Sequence, residues 1–427
     1  MKDKVINNLS WLLICKIIQA VLGLIINAYV TRYLGPSLYG IISYAASVAA
    51  FFLPISKLGL EEILIQQTID NSKEEGKIYG TSIIASALTS LACMVGMTCF
   101  SLIANADSKD TSIVCALYSL VLLFQSFELI RLWFQSKYLS KYVAVVSLIV
   151  YCVTFSYKGI LIFLKKNVYW FAISDGIGYL LISIILIIIY RKLESQRFIF
   201  SFNVLKRLLS KSKYYIISSM MVTIFAQTDK IMLNLMKGDA ATGYYSAASN
   251  CATITSFIFV AIINSLLPMI FENRKISEGA FEKGVSLLYC IIIYLSLIQS
   301  VGMTVMAFPI IYIMNGSAYI PAVPILRVCV WFSTFSYMGA VRDVWILAVG
   351  KQKYLWRVNL CGAAMNIILN FVFIPLWGEI GAAVASVITQ LFTNVIVGII
   401  LKPLRYNNKL IIAGLNPALI KDFLKGT

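Results

Sequence analysis

Apolar residues in this chain gather in long unbroken runs instead of alternating with polar ones. Twelve such runs occur, at 11–33, 39–60, 79–103, 111–134, 142–164, 168–190, 214–236, 244–267, 285–308, 324–349, 354–374 and 380–401. About 20 consecutive apolar residues cross the ~30 Å hydrocarbon layer of a bilayer as an α-helix. A membrane β-barrel would need residue-by-residue alternation, and none is present. The pattern predicts an all-α polytopic membrane protein of about twelve transmembrane helices.

The connectors between the runs add orientation. If the N-terminus lies inside, the inner segments hold 24 Lys and Arg and the outer ones 5. Basic residues concentrate on the cytoplasmic side of a membrane protein, so both termini are expected in the cytoplasm. The longest basic connector falls midway. It predicts a six-helix N-terminal lobe over 1–190, a basic cytoplasmic linker over 191–213, a second six-helix lobe over 214–401 and a cytoplasmic tail over 402–427. A weak internal echo accompanies this division. Leu34-Gly35-Pro36-Ser37-Leu38-Tyr39-Gly40 follows the first run and Lys237-Gly238-Asp239-Ala240-Ala241-Thr242-Gly243-Tyr244-Tyr245 the seventh, about 203 residues apart. Each half has an even number of spans, so the axis relating two such repeats runs along the membrane normal.

Composition agrees with the pattern. Of 427 residues 60% are hydrophobic and only 13% charged, against about a quarter charged in soluble domains; the mean hydropathy is +0.84. The first run is too long for a signal-peptide core and no small-residue cleavage site follows it, so it is expected to remain in the mature protein. Nine cysteines stand singly, without CxxC spacing, and read as small hydrophobes instead of a disulfide framework or metal site. The absence of histidine removes imidazole relays and triads. A net charge of +17 does not point to nucleic acid, because the basic residues lie between apolar runs and not on one polar face. No GxxxxGK loop is present to bind a nucleotide.

Several local motifs share one likeness. The opening, Asn8 to Gly40, carries a basic residue inside its first run and ends Tyr33-Leu34-Gly35-Pro36-Ser37-Leu38-Tyr39-Gly40. Lys57-Leu58-Gly59-Leu60 closes the second run, and Gln227-Thr228-Asp229-Lys230-Ile231-Met232-Leu233 closes the seventh. Asn366, Asn370, Ile374-Pro375-Leu376-Trp377-Gly378 and Gly381-Ala382-Ala383 mark the eleventh and twelfth. In this order the motifs resemble the polysaccharide transporter (Wzx-type O-antigen flippase) branch of the MOP exporter superfamily, over about 400 residues. One departure is Glu61 and Glu62 after the second run, where that family often continues with Arg.

The resemblance implies two six-helix lobes in a V, enclosing a cavity that opens to alternate sides. It implies a transporter of the bacterial inner membrane and not an enzyme. The cargo would be an undecaprenyl-diphosphate-linked oligosaccharide repeat unit for O-antigen, capsule or exopolysaccharide. Membrane lipids and a polysaccharide polymerase would be its partners, with no nucleic acid. A monomer without cofactor, driven by an ion gradient, completes the expectation. Asp229 and Lys230 correspond to the family's acid–base pair and are expected as a buried pair or gate.

Charges inside the runs carry the remaining information, because each costs at least ~2.5–3.5 kcal/mol at mid-bilayer on insertion scales. Arg327, Arg342 and Asp343 lie near span ends and read as structural. Glu128 and Arg131 are three apart on one helix and can pair; Arg131 is also a candidate cargo contact at the cavity mouth. In an antiparallel hairpin, residues equidistant from the turn share a depth. Lys158 and Asp175 are equidistant from Lys166-Asn167 and are expected to form a buried pair. Lys16 and Lys57 are equidistant from Pro36-Ser37, with no acid at that depth in either helix. A diphosphate would satisfy both ammoniums, with six donors between them. Trp331, Phe332, Phe335, Tyr337 and Trp345 read as packing rather than as a sugar platform.

Rival functions fit less well. A MATE-like multidrug antiporter wants a buried carboxylate, whereas the first span has Lys16 and no acid. A lipid II flippase of the same superfamily usually has two further spans. A membrane glycosyltransferase would need long loops with catalytic acids or histidine. A major-facilitator sugar porter would have a short, Gly-rich, basic loop after span two, where residues 61–77 are long and acidic-polar.

Overall fold

The computed structural model describes residues 2–194 and 196–425, with side chains at Trp11, 14–194 and 196–421. Lys2, Lys4 and Lys425 of the charge count have side chains outside the described residues. Helix accounts for nearly all of the described chain, and no strand occurs among the described residues.

Among those residues ten helical stretches are long and apolar enough to cross a membrane. Two of the ten are double. Lys2–Ser56 breaks at Gly35 (φ 71°, ψ 175°) and Leu355–Leu391 at Gly378 (φ 56°, ψ −130°), conformations that glycine alone adopts without strain. The Tyr39 hydroxyl donates to Asn27 Oδ1 at 3.2 Å, a pair that a straight helix would hold ~18 Å apart. A Cβ placed on Gly381 would run into the Phe373 carbonyl, so the arms around Gly378 fold back as closely. Ten stretches therefore carry twelve spanning rods.

The chain divides into two compact units, Met1–Gln227 and Thr228–Thr427. Leu64, Tyr79, Trp133, Phe134, Tyr190 and Leu208 build a core in the first. Phe259, Ile270, Val285, Tyr289, Val341 and Trp345 build one in the second. The two units repeat two details. Gly238 (φ 85°, ψ −172°) has nearly the backbone of Gly35. Ser90 Oγ donates to the Leu122 carbonyl at 3.0 Å in the first unit, and Ser300 Oγ to the Val330 carbonyl at 3.3 Å in the second. Small hydroxyl residues of this kind let apolar helices approach closely.

The described residues of the connector expected over 191–213 are partly helical. Helix Val168–Leu193 runs into it, and helix Phe202–Lys237 begins inside it. The helix start is amphipathic, and Val204 and Leu208 are buried. Between the two helices the chain is tied to helix Glu75–Ala104. Gly76 N–H donates to Gln196 Oε1 at 3.0 Å, Ile199 N–H to the Gly76 carbonyl at 3.3 Å and Ser201 N–H to Thr81 Oγ1 at 2.9 Å.

Candidate functional site

Two groups of charges in the first unit hold the residues singled out from the sequence. One lies around a cavity of about 390 Å³ lined by Gln19, Tyr151, Thr154, Lys158, Asp175 and Tyr179, among others. Helices Ser140–Phe163 and Val168–Leu193 turn back on each other through Lys165 (φ 50°). That reversal brings Lys158 Nζ to 2.8 Å from Asp175 Oδ1, and the Tyr118 hydroxyl donates to Asp175 Oδ2 at 3.3 Å. The side chains of Lys158 and Asp175 are 24% and 40% accessible, so the pair opens into the cavity it lines.

A fully buried pair that loses one partner is destabilised by ~3–5 kcal/mol. Accessibility discounts this, and Lys158→Met is expected to cost ~1–2 kcal/mol. Adding Asp175→Asn should restore most of the loss, because the uncompensated carboxylate is then gone. Thermal unfolding of the purified single and double variants measures both quantities. A double variant no more stable than the weaker single would mean the two side chains do not act as a pair.

The second group differs from the sequence expectation. Lys57 does not stand without a carboxylate: its Nζ donates to Glu61 Oε1 at 3.1 Å. The reason is the backbone. Leu58 (φ 53°) and Gly59 (φ 60°) both turn left-handed and start a new helix, Glu61–Asp70, whose first residue lies back over Lys57. Arg131 Nη2 reaches the same Glu61 Oε1 at 2.6 Å, and its Nε is 3.6 Å from Glu128 Oε1. Lys16 stands apart from this group. It is exposed, on a stretch of helix where Ile14, Ile17 and Ile18 are exposed too, and makes no ion pair or hydrogen bond among the described residues.

In the second unit Asp229 is buried and held by four neutral donors. Asn366 and Asn370 donate from Nδ2 to Oδ1 at 2.7 and 2.6 Å. The Tyr245 hydroxyl donates to Oδ2 at 2.7 Å, and the Ser386 hydroxyl donates to the same oxygen. Lys230 is not among these donors, since consecutive residues do not face one another on a helix. Two hairpins explain the assembly. Asn370 and Ser386 each lie eight residues from Gly378, and Asp229 and Tyr245 flank the Gly238 turn. Arg342 is architectural: it is buried and donates to the Thr393 carbonyl, Asn394 Oδ1 and Asp343 Oδ1 at 3.0, 2.8 and 2.8 Å, bracing a π-turn at Phe392–Ile396.

A model of the family described as polysaccharide biosynthesis protein matches residues 5–274. An uncharacterized membrane protein of Methanocaldococcus jannaschii is 24% identical over 266 residues, 58% of this chain and 50% of that protein. The chain thus spans about half of that relative's length. A putative O-antigen transporter of Escherichia coli K12 is 20% identical over 417 residues, covering 95% of this chain and 97% of its own. Among solved structures, the lipid II flippase MurJ in an inward closed conformation aligns with a TM-score of 0.74 at 16% identity, over 97% of this chain and 93% of that one. An inward-facing multidrug MATE transporter of the MOP superfamily aligns at 0.69 and 13%, over 93% and 95%. At such identities these two likenesses establish the fold alone.

Proposed function

The chain belongs to the polysaccharide biosynthesis protein family, and from that premise we propose that this multi-pass membrane transporter flips undecaprenyl-diphosphate-linked oligosaccharide repeat units across the bacterial inner membrane by alternating access. The observation that carries the reading is the cavity of the first unit, where the Lys158–Asp175 pair and several hydroxyls are set among apolar helices long enough to cross a membrane. A cargo with a sugar head and a hydrocarbon tail needs hydrogen-bonding groups at a depth where lipid offers none. The putative O-antigen transporter matched along nearly its whole length supports the same cargo class.

A MATE-like exchange of drug cations is less well supported, because the cavity carboxylate Asp175 is already neutralised by Lys158. In this proposal both termini face the cytoplasm, a polymerase receives the product, and the protein works as a monomer. An ion gradient supplies the energy, and Asp229 is a gating group.

The test is complementation. Expressed in a strain lacking its own repeat-unit flippase, the protein should restore surface polysaccharide on gels of whole-cell extracts. Normal membrane levels without polymer, combined with rescue of a strain depleted of its lipid II flippase, would move the cargo to peptidoglycan precursors.

A further inference from the structure

Where helix Lys2–Ser56 gives way to Glu61–Asp70, two cations converge on one carboxylate oxygen: Lys57 Nζ at 3.1 Å and Arg131 Nη2 at 2.6 Å from Glu61 Oε1. Lys137 and Lys158 of this unit each have an acid of their own, Glu75 at 2.6 Å and Asp175 at 2.8 Å. At this corner donors outnumber the acceptors that meet them. Arg131 Nε is buried and has no hydrogen-bond partner, the Glu128 carboxylate standing off at 3.6 Å.

We propose that this corner is a diphosphate-binding site, and that the Glu61 carboxylate occupies the place one phosphoryl group takes when cargo is bound. The proposal rests on the flippase reading and names the residues that hold the cargo's charged head. Arg and Lys donors are suited to phosphoryl oxygens, and a diphosphate offers more oxygens and more charge than one carboxylate. The two sides of the site differ in freedom. Lys57 is only 9% accessible, and two residues on the chain is closely packed: a Cβ on Gly59 would lie 2.9 Å from Ile216 N. Glu61 is 33% accessible and can swing away from the cations.

Charge balance gives the exchange a direction. Lys57, Glu61, Glu128 and Arg131 sum to zero, and withdrawal of Glu61 leaves one net positive charge for the incoming anion. A tethered carboxylate competes with cargo at the high effective concentration of an intramolecular group. It therefore holds affinity below the point at which a carrier would fail to release its load. Removing that competitor should tighten binding and slow transport, whereas a merely structural tie would give neither effect.

The experiment uses the full chain in lipid nanodiscs, with inorganic pyrophosphate as probe and calorimetry as readout. Glu61→Gln should bind pyrophosphate about tenfold more tightly than wild type. Arg131→Gln should abolish binding in both the wild-type and Glu61→Gln backgrounds. Undecaprenyl diphosphate placed in the disc should displace the probe, and in cells Glu61→Gln at normal protein level should give less surface polymer. If Glu61→Gln does not fold, Glu61→Ala carries the same expectations. Unchanged or weaker pyrophosphate binding by these variants would overturn the proposal, and so would a bound probe that undecaprenyl diphosphate fails to displace. Tightened binding in a protein that fails complementation would retire the flippase reading and leave the site standing.

Discussion

Leucine in place of Asp229 is expected to leave no folded protein in the membrane, whereas asparagine there leaves folded protein that does not transport. The carboxylate receives Asn366 and Asn370 on one oxygen and Tyr245 and Ser386 on the other. Leucine strands all four donors in a buried place. Each stranded group costs ~1–3 kcal/mol, and together they rival the ~5–15 kcal/mol that holds a typical domain folded. Asparagine keeps the shape. Its Oδ1 can still receive the two side-chain amides, and the two hydroxyls can rotate to accept from its Nδ2. Only the charge is lost, and in the proposed scheme Asp229 is a gating group. Membrane abundance and thermal unfolding, read beside surface polymer, separate the two variants. Full polymer from Asp229→Asn would remove Asp229 from gating, and normal yield of Asp229→Leu would show that its bonds do not hold the unit together.

Lys16→Ala is expected to abolish surface polysaccharide at unchanged protein level. The side chain is exposed and has no ion pair or hydrogen bond among the described residues. Truncating such a surface group changes stability by about 0.5 kcal/mol or less, so lost activity would not reflect lost fold. An exposed ammonium without a partner on an apolar helix has a reason to be there if it meets the anionic head of the cargo. Lys16→Arg should retain part of the activity, because charge persists while geometry changes. Lys57→Ala should act at a different place, by removing one of the two cations that meet at Glu61. Complementation with quantified membrane protein decides the matter, and wild-type polymer from Lys16→Ala would exclude the contact.

The twelve rods are legible in the sequence because run length and hydropathy are local properties that need no partner. The contact between Lys158 and Asp175 is legible for a related reason: a short turn fixes which residues share a depth. The same count made around Gly378 would have matched Asn370 with Ser386, but the pairing gains meaning only when Asp229 arrives from a distant helix. The Lys57–Glu61 contact spans four residues, an ordinary helical spacing, yet left-handed turns at Leu58 and Gly59 lie between them. Their effect on side-chain direction cannot be read from composition. Arg131 is 70 residues from Glu61, and its approach depends on how two helices are rotated about their axes. Rotation of that kind is set by packing of many side chains at once, so no local pattern encodes it.

The glycine reversals also bear on how the chain is made. At Gly35 and Gly378 one rod follows another with hardly a polar residue between them, inside apolar stretches of 57 and 49 residues. At each reversal only a few residues separate the two arms, so no long hydrophilic segment has to cross the bilayer there. Each arm satisfies its own backbone hydrogen bonds, so the two arms of such a hairpin can enter lipid as one unit.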